Sequence, residues 1–303
     1  MEKSTVKINY HGFWPGFDIH DNLLINALEK NFNVEISDKP DFVFCSWFDK
    51  SQCRFNDCIK IFYSHENHSL NMFVHGYNYA IGLRWLSVDN SGKGRYLRHC
   101  VCPEISVEHR KNLSDNLAKR KFCNFIYSNQ SRGNNVQNRI IFCQQLQKYK
   151  RVDCPGTVLH NTQPISQQNS TNPEDWAAEK LNYIKNYKFT IAFENSIANG
   201  YATEKIWHPF MADSIPVYMG SPSIADDFNP KAFINVADYK NFDEVIEKII
   251  ELDNNDELYM QMLREPVYLK EPEYDKRLEK FLYDIVTRGN TTSARFIKPF
   301  FNT

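Results

Sequence analysis

The sequence contains no apolar run that approaches the roughly 20 residues needed to cross a bilayer as a helix. Its first segment lacks the basic start and the apolar stretch of a secretory signal. The formal net charge is only -1, so no overall positive field attracts nucleic acid, and any anion must be held locally. These absences predict a soluble, cytoplasmic protein with no nucleic-acid partner and at most peripheral contact at the cytoplasmic face of a membrane.

Common metal and phosphate motifs are also missing. The sequence has neither a D-x-D pair nor a G-x-x-x-x-G-K-S/T loop, and its eight cysteines lack the C-x2-C spacing of common zinc sites. Cys45, Cys123 and Cys143 lie inside apolar runs, where a reduced cysteine acts as a small core residue. We therefore predict reduced structural thiols and no metal-ligating residues.

The length and the alternation of elements indicate two α/β domains. A chain of 303 residues is long enough for two cores of about 150 residues each. Apolar strands alternate with helices in both halves, which predicts parallel, doubly wound sheets. The polar stretch Glu104–Lys121 is the expected boundary, giving domains at 1–115 and 116–290 and a tail at 291–303.

The predicted elements follow this alternation along the chain. Strands are predicted at Val6–Tyr10, Val34–Ile36, Asp41–Cys45, Ile59–Tyr63, Tyr79–Ile81, Phe122–Tyr127, Phe189–Phe193, Ile215–Tyr218 and Phe233–Val236. Helices are predicted at about Asp18–Asn31, Val136–Tyr149, Pro173–Asn186, from Thr203, and at Phe242–Leu252, Asp256–Arg264 and Tyr274–Val286. In folds with two such halves the last helix often packs back onto the first half, so the boundary is not a clean cut.

Polar side chains collect where two strands of the second half end. Open parallel sheets bind ligands outside the carboxyl ends of their strands. The side chains expected to line that crevice are Glu194, Asn195, Ser196, Tyr201, Glu204 and Lys205. Thr203 has the residue type of a helix N-cap, and the free amides of the following turn favour an anion. Lys205 adds a positive charge in that turn, so the segment predicts a phosphate site.

Glu204 adds a second function to this segment, since acidic residues accept hydrogen bonds from ribose hydroxyls in nucleotide folds. Simpler interpretations remain open for two residues. Tyr201 is consistent with packing alone, and Glu204 with a carboxylate favoured by the helix dipole. The joint position of these groups at one sheet edge favours a phosphate and ribose site.

Three ordered stretches carry a resemblance to a known family. Phe-Glu-Asn-Ser at 193–196, Gly-Tyr-Ala-Thr-Glu-Lys-Ile at 200–206 and Ile-Pro-Val-Tyr-Met-Gly-Ser-Pro at 215–222 resemble the signature of the α-1,3/4-fucosyltransferases, glycosyltransferase family 10. Members of that family transfer fucose from GDP-fucose to N-acetylglucosamine in glycan chains. The resemblance implies a GT-B fold, in which two Rossmann-like doubly wound domains face a cleft. It also implies an acceptor-binding first domain and a GDP-fucose-binding second domain, in a microbial-type enzyme without a membrane anchor.

The resemblance assigns most of the donor-side residues. It implies that Lys205 binds phosphate, that Glu204 binds ribose hydroxyls, and that Asn195 and Tyr201 contact the fucose or its phosphate. Arg139 matches the family's Arg-x-x-Phe-x-x-x-Leu pattern and is implied to contact the diphosphate, where a planar guanidinium pairs two oxygens. The alternative for Arg139 is a solvated helix arginine. With these cations we expect no cofactor beyond the donor substrate and no obligatory metal, a divalent ion being at most stimulatory.

Glu66 is the candidate general base. It follows the predicted strand Ile59–Tyr63 in a Ser-His-Glu-Asn segment, and the family has a Glu-Asn pair in this setting. The family's next motifs match Tyr-Ala-Ile-Gly at 79–82 and Arg-Tyr-Leu-Arg at 95–98. The resemblance implies that Glu66 takes the acceptor's proton, a contribution of about 10²–10⁴-fold. Spacing alone leaves a surface carboxylate as the alternative, and His-Glu-Asn-His misses the zinc-protease spacing H-E-x-x-H.

The acceptor side departs from the family pattern more than the donor side. Asn78 stands where the family often has Asp, and Leu83 and Arg84 stand where another acidic residue is usual. On the donor side, Met219 stands where the family usually has Trp. The resulting prediction is an inverting fucosyltransferase that forms an α-linkage to a hydroxyl, expected to be O3, of N-acetylglucosamine. The acceptor is expected to be a lactosamine-type or lipopolysaccharide glycan. The alternatives are a GT-B enzyme for another nucleotide-sugar and a non-catalytic glycan-binding protein.

Overall fold

The computed structural model describes residues 2–49, 51, 53–67, 76–85, 95–165 and 173–289. The chain divides into two compact units, the first containing residues 1–100 together with 273–303 and the second containing residues 101–272. Among the described residues, no helix combines the length and the apolar character that a bilayer crossing requires.

Each unit is built on one parallel sheet. The first sheet contains β1 (Thr5–His11), β2 (Asn33–Ile36), β3 (Phe42–Cys45), β4 (Ile59–Ser64), β5 (Tyr79–Gly82) and β6 (Tyr96–Arg98), in the order β2-β1-β3-β4-β5-β6. The second contains β7 (Lys121–Asn124), β8 (Val152–Asp153), β9 (Tyr187–Phe193), β10 (Ile215–Met219) and β11 (Ile234–Asn235), in the order β11-β10-β9-β7-β8. The strand pairs of both sheets are parallel, which confirms the predicted α/β class.

Helices alternate with these strands along the chain. The first unit contains α1 (Leu23–Glu29), and the second contains α2 (Val107–Lys111), α3 (Val136–Leu146), α4 (Pro173–Ile184), α5 (Glu204–Met211), α6 (Phe242–Asp253) and α7 (Asp256–Leu263). The helix α8 (Tyr274–Gly289) follows the second unit in sequence but belongs to the first. Short 3-10 helices lie at Asp115–Lys119, Ile224–Asp226, Pro230–Ala232 and Val236–Asp238.

The core of the first unit explains why β3 is apolar at every position. Its side chains alternate between two clusters, so that Phe44 packs with Leu28 while Val43 packs with Phe55. A strand that is buried on both faces has no solvent-facing positions for polar residues, and all four residues of β3 are buried. α8 completes the larger of these two clusters with Leu282 and its apolar neighbours on the same helix.

The strand order of the second sheet reverses beside β7. β9 is buried at all seven positions and pairs with β7 on one side and β10 on the other. From β7 the chain first adds β8 on one side and then β9 on the other. Such a switch point opens a crevice at the carboxyl ends of the strands. The loops after β7 and β9 therefore meet where the predicted donor segment begins.

The two units differ from the predicted domain boundaries. Residues 101–115 lie in the second unit, and the described residues from 273 onward lie in the first. The physical reason is α8, whose apolar side is buried in the core that α1 covers. This helix is the returning last element that two-half folds often show, and its return makes the first unit discontinuous in sequence.

Several predicted elements differ from the structure in detail. α1 begins at Leu23 rather than at Asp18, because the Asn22 side chain accepts the N–H groups of Leu24 and Ile25 at 3.0 and 3.1 Å. The carboxylate of Asp18 instead accepts the N–H of His20 in a turn. The strands β6 and β8 were missed because two or three residues are too short to show an alternating pattern.

We expect Leu282→Ala to destabilise the first unit by about 2–5 kcal/mol, because this side chain is 1% exposed and its removal leaves a cavity. Urea unfolding measures the loss. Lys280→Ala on the same helix is the matched control, since it removes only an exposed pair with Asp284, worth less than about 1 kcal/mol. Equal unfolding midpoints for the two variants would show that α8 does not stabilise this core.

Candidate active site

One buried amide holds together the loops at the carboxyl edge of the second sheet. The fully buried Asn135 side chain donates to the main-chain carbonyls of Glu194 at 3.0 Å and Met219 at 3.3 Å. Its own N–H donates to the carbonyl of Asn195 at 3.0 Å. Asn135 therefore ties the loops that follow β7, β9 and β10. No local sequence pattern signals this cross-link, and sequence reasoning missed it.

Two glycines allow the loops to approach this closely. Gly133 has a φ of +114°, and a Cβ there would lie 2.1 Å from the carbonyl oxygen of Asn195. A Cβ at Gly220 would lie 2.6 Å from Cγ of Glu194 and 2.4 Å from the hydroxyl of Tyr218. Any side chain at either position would push the edge apart, so both glycines are required by close contact.

Glu194 lies inside this edge rather than on its surface. It is 0% exposed, and its carboxylate accepts the N–H of Thr203 at 2.7 Å and the hydroxyl of Thr203 at 2.8 Å. The ammonium of Lys205 lies 3.4 Å from the same carboxylate. Burial raises the pKa of Glu194, while Lys205 and the hydrogen bonds of Thr203 oppose that rise. Glu194 is therefore too buried for the predicted direct contact with the donor. It instead holds Thr203 and Lys205 in place.

Thr203 occupies the predicted N-cap position of α5, but its side chain does not cap the helix. Its backbone is extended, with φ of -118° and ψ of -171°, and its hydroxyl makes no bond to the first-turn amides. The hydroxyl donates to Glu194 instead, and it accepts from the ammonium of Lys205 at 3.0 Å. The helix begins where predicted, with Thr203 at the N-cap position, but its hydroxyl oxygen accepts from Lys205 rather than from a first-turn amide.

Lys205 is the central cation of the site. Its side chain is 19% exposed and lies 3.1 Å from the carboxylate of Glu204, which is 40% exposed. Burial disfavours the charged lysine, but the carboxylates of Glu204 and Glu194 outweigh burial and hold the pKa of Lys205 above its usual range. Burial likewise opposes ionisation of Glu204, but Lys205 and Lys180 keep its pKa below the usual value. Both groups are therefore charged at neutral pH.

A small pocket beside Lys205 is lined by residues that sequence reasoning missed. Its lining includes Tyr127, Lys180, Thr190 and His208. Burial lowers the pKa of Lys180, and burial together with Lys180 lowers the pKa of His208 to about 3. The buried Nδ1 of His208 has no hydrogen-bond partner among the described residues. Lys180 lies on α4, and only the packing of α4 on α5 brings it to the donor segment.

Arg139 lies near this edge but is covered. The residue is 1% exposed, its guanidinium stacks 4.2 Å from the ring centre of Tyr127, and one terminal nitrogen donates to the carbonyl of Asn129. Burial lowers the pKa of Arg139, and its Nε atom has no partner in the described part of the chain. The guanidinium is therefore not accessible to a ligand in this arrangement. The alternative of a solvated helix arginine is excluded by this burial.

The other predicted donor residues differ in what they can offer a ligand. Ser196 is 8% exposed and Tyr201 is 2% exposed, so both are largely packed into the edge. Asn195 is half-buried, and its side-chain oxygen has no hydrogen-bond partner among the described residues. A polar atom without a partner at a ligand-binding edge is a candidate ligand contact. Of these three residues, Asn195 therefore offers the best-supported contact.

Glu66 belongs to the first unit and directly follows the end of β4. Its side chain is exposed, and its N–H donates to the hydroxyl of Ser64 at 3.1 Å. The nearby motif residue Arg98 is 1% exposed and structural, since its Nε donates to the carbonyl of Leu83 at 2.8 Å. The structure thus gives Glu66 an accessible carboxylate on a fixed backbone, as a general base requires.

We expect Glu204→Gln to flatten the dependence of stability on pH in acid. A carboxyl whose pKa is lowered by folding stabilises the protein above its ordinary pKa of about 4.3, and this contribution is lost as the pH falls. Urea unfolding from about pH 5 to pH 3 should show a steeper loss in the wild type than in the variant. Glu251→Gln removes only an exposed pair with Lys248 and should keep the wild-type slope. Identical slopes for all three proteins would contradict the assigned ion pair.

The chain matches two family models. The model described as glycosyltransferase family 10 (fucosyltransferase) C-term matches residues 116–271, and the model described as the alpha-(1,3)-fucosyltransferase FucT N-terminal domain matches residues 8–102. The alpha-(1,3)-fucosyltransferase FucT of Helicobacter pylori is 29% identical over 312 residues, which cover 86% of this chain and 60% of that protein. GDP-fucose protein O-fucosyltransferase 3 of Xenopus tropicalis is 34% identical over 162 residues, which cover 52% of this chain and 32% of that protein. The chain thus spans 60% or less of the length of these relatives.

A solved structure supports the same assignment. A crystal structure of an alpha1,3-fucosyltransferase with GDP-fucose matches this fold with a TM-score of 0.72 and 26% identity, covering 94% of this chain and 91% of that chain. The fold is therefore of the GT-B type, with two Rossmann-like units. Because the family model for the carboxyl half matches more than half of the sequence, the chain belongs to glycosyltransferase family 10, the fucosyltransferases.

Proposed function

We propose that this chain is an inverting α-1,3-fucosyltransferase that moves fucose from GDP-fucose to O3 of N-acetylglucosamine in a lactosamine-type glycan. The observation that carries the proposal is the charged pair of Glu204 and Lys205, 3.1 Å apart at the start of α5. The cation is held in place by the fully buried Glu194. A fixed cation at a helix start matches what a departing diphosphate requires.

On the donor side, each group has a distinct task. Lys205 would neutralise the diphosphate, and Lys180 would add a second positive charge beside it. The 40% exposed carboxylate of Glu204 can accept hydrogen bonds from the ribose hydroxyls, and the unpartnered oxygen of Asn195 can accept one from the sugar. Arg139 belongs to the same proposal, although its guanidinium is 1% exposed and donates to the carbonyl of Asn129. We propose that these cations suffice without an obligatory divalent metal, which is at most stimulatory.

The proposed reaction is a single displacement. Glu66 takes the proton of the acceptor hydroxyl, and the oxygen attacks the anomeric carbon of β-linked GDP-fucose from the face opposite GDP. The new carbon–oxygen bond forms as the bond to the diphosphate breaks, and the departing GDP keeps the electron pair. Lys205 stabilises the negative charge that develops on the diphosphate. The product is an α-linked fucoside.

The extent of the matches favours a glycan acceptor. The Helicobacter pylori fucosyltransferase matches 86% of the chain, so this similarity includes most of the first unit, which carries Glu66. The Xenopus protein O-fucosyltransferase matches only 52% of the chain and carries less information about the acceptor. We therefore place the glycan acceptor ahead of a protein hydroxyl.

The first test measures GDP release from GDP-fucose with and without N-acetyllactosamine, in buffer that contains EDTA. We expect release that depends on the acceptor and persists in EDTA, and NMR of the product should show an α-1,3 linkage. Release from another nucleotide-sugar alone would support the alternative donor. Binding of lactosamine without any release would support the non-catalytic alternative.

The same assay includes Glu66→Gln, which keeps the shape of the side chain and removes the base. We expect kcat to fall by about 10²–10⁴-fold while the Kd for GDP stays unchanged. Glu35→Gln, an exposed carboxylate of the same unit that pairs with Lys7, is the control and should leave kcat unchanged. A weaker affinity of Glu66→Gln for GDP would place Glu66 on the donor side and contradict its assignment.

We expect Lys205→Met to weaken GDP binding by about 10–100-fold, because a charge-assisted hydrogen bond contributes about 1.5–3 kcal/mol. Isothermal titration calorimetry with GDP measures this change. Lys205→Met also leaves Glu194 buried without its partner, so the double variant Lys205→Met with Glu194→Gln serves as a stability control. The double variant should recover stability but not GDP affinity. Unchanged affinity in both variants would remove Lys205 from the phosphate site.

A further inference from the structure

A row of hydrogen-bonded side chains lies beside Glu66 in the first unit. The Nε2 atom of His65 lies 3.3 Å from Nδ1 of His99, and Nε2 of His99 lies 3.2 Å from a carboxylate oxygen of Asp275. At the other end, the hydroxyl of Tyr63 lies 3.4 Å from Nδ1 of His65. The row joins residues of β4, its following loop, the end of β6 and the start of α8. Nothing in the donor chemistry uses these side chains.

The row is held rigidly. His99 is 1% exposed and Tyr63 is 7% exposed, and the two imidazole rings are parallel within 4° with centroids 5.4 Å apart. The start of α8 is anchored by a second contact, since Arg98 donates to the hydroxyl of Tyr274 at 2.7 Å. Burial, together with the neighbouring His99, lowers the pKa of His65 to about 3. His65 is therefore a neutral ring at neutral pH.

The carboxylate at one end fixes the first hydrogen bond of the row. The bond from His99 lowers the pKa of Asp275, which is therefore ionised and can only accept, so Nε2 of His99 carries a proton. One of the two facing ring nitrogens, Nε2 of His65 and Nδ1 of His99, then donates to the other. The hydroxyl of Tyr63 completes the row at Nδ1 of His65. Asp275 thus orients the ring of His99, much as a carboxylate orients a histidine in a catalytic triad.

This row fixes the backbone that carries Glu66. Ser64 accepts the N–H of Glu66 at 3.1 Å, and His65, the residue between them, is fixed through its ring by His99. The side chain of Glu66 is exposed, and the backbone that precedes it sets the position of its Cα–Cβ bond. A base misplaced by about 1 Å can lose about 10²-fold in rate.

We propose that His65 and His99, oriented by Asp275, are positioning residues that hold Glu66 where it can take the proton of the acceptor hydroxyl. This inference rests on the proposed function, in which Glu66 is the base. The residues act through the backbone at Glu66 and touch no substrate. Their loss should lower kcat without changing the binding of GDP, which occurs on residues of the second unit.

Paired amide substitutions separate this role from packing. An asparagine amide can replace Nδ1 of a histidine, whereas a glutamine amide can replace Nε2. His99→Asn therefore keeps a contact with His65, and His99→Gln loses it. At the other ring His65→Gln keeps the contact with His99, and His65→Asn loses it. If the two rings acted only by filling space, the larger glutamine would preserve kcat better than asparagine at both positions.

We expect a crossed pattern in kcat. His99→Gln and His65→Asn should lower kcat by about tenfold or more, while His99→Asn and His65→Gln should stay within about threefold of the wild type. The Kd for GDP should be unchanged in all four, and thermal unfolding confirms that each is folded at the assay temperature. Better activity of the glutamine variant at both positions, or unchanged kcat in all four, would overturn the positioning role.

Two controls complete the experiment. His109→Asn and His109→Gln change an exposed histidine that pairs with Asp213 in the second unit, and they should leave kcat unchanged. Activity that EDTA abolishes and zinc restores in the wild type, but not in His65→Asn, would show that the two rings bind a metal and would overturn the hydrogen-bonded row.

A spectroscopic measurement distinguishes the failure of this inference from the failure of the proposed function. Ring ¹⁵N spectra of the wild type should show His65 as a neutral ring with one protonated nitrogen, with or without any fucosyl transfer. A protein with this neutral ring but no transfer would contradict the proposed function and leave the hydrogen-bonded row itself standing. Active enzyme with a doubly protonated His65 at neutral pH would contradict the hydrogen-bonded row.

Discussion

The ion pair between Glu194 and Lys205 is the interaction on which the carboxyl edge of the second sheet depends. A carboxylate that is 0% exposed is costly unless a charge and hydrogen bonds compensate it, and Thr203 and Lys205 supply both. The same contacts fix the ammonium group before any ligand arrives. Groups that are already oriented need no reorganisation when charge develops in a reaction. The stability of this edge and the proposed anion site thus depend on the same buried carboxylate.

Some polar side-chain atoms near this edge lack hydrogen-bond partners. Within the described residues, the side-chain oxygen of Asn195, Nε of Arg139 and Nδ1 of His208 have no hydrogen-bond partner. Buried polar atoms without partners cost free energy, and native structures contain few of them. Three of the twelve such atoms among the described residues belong to residues in or beside the predicted site. A nucleotide-sugar has phosphate and hydroxyl groups that could supply the missing partners.

Much of this sheet edge could be predicted from sequence, because strand β9, helix α5 and the residues between them are local features with clear patterns of apolar and polar residues. The pattern places Glu204 and Lys205 correctly at the start of α5. It could not show that Glu194 is inside the fold, because alternation does not apply after a strand ends. It also missed Lys180, whose position depends on how α4 packs. The row from His65 to His99 and Asp275 joins residues that are 34 and 176 positions apart, which no local spacing can reveal.

The return of α8 to the first unit has a consequence for how the protein is made. Synthesis proceeds from the amino terminus, and domains generally fold as units during synthesis. The apolar side of α8, including Leu278 and Leu282, leaves the ribosome only after the whole second unit. Part of the core of the first sheet therefore remains uncovered while residues 101–272 are synthesised. The unit that begins first in the sequence is therefore completed after the second unit, and a chain that stopped at residue 272 would lack part of the first core.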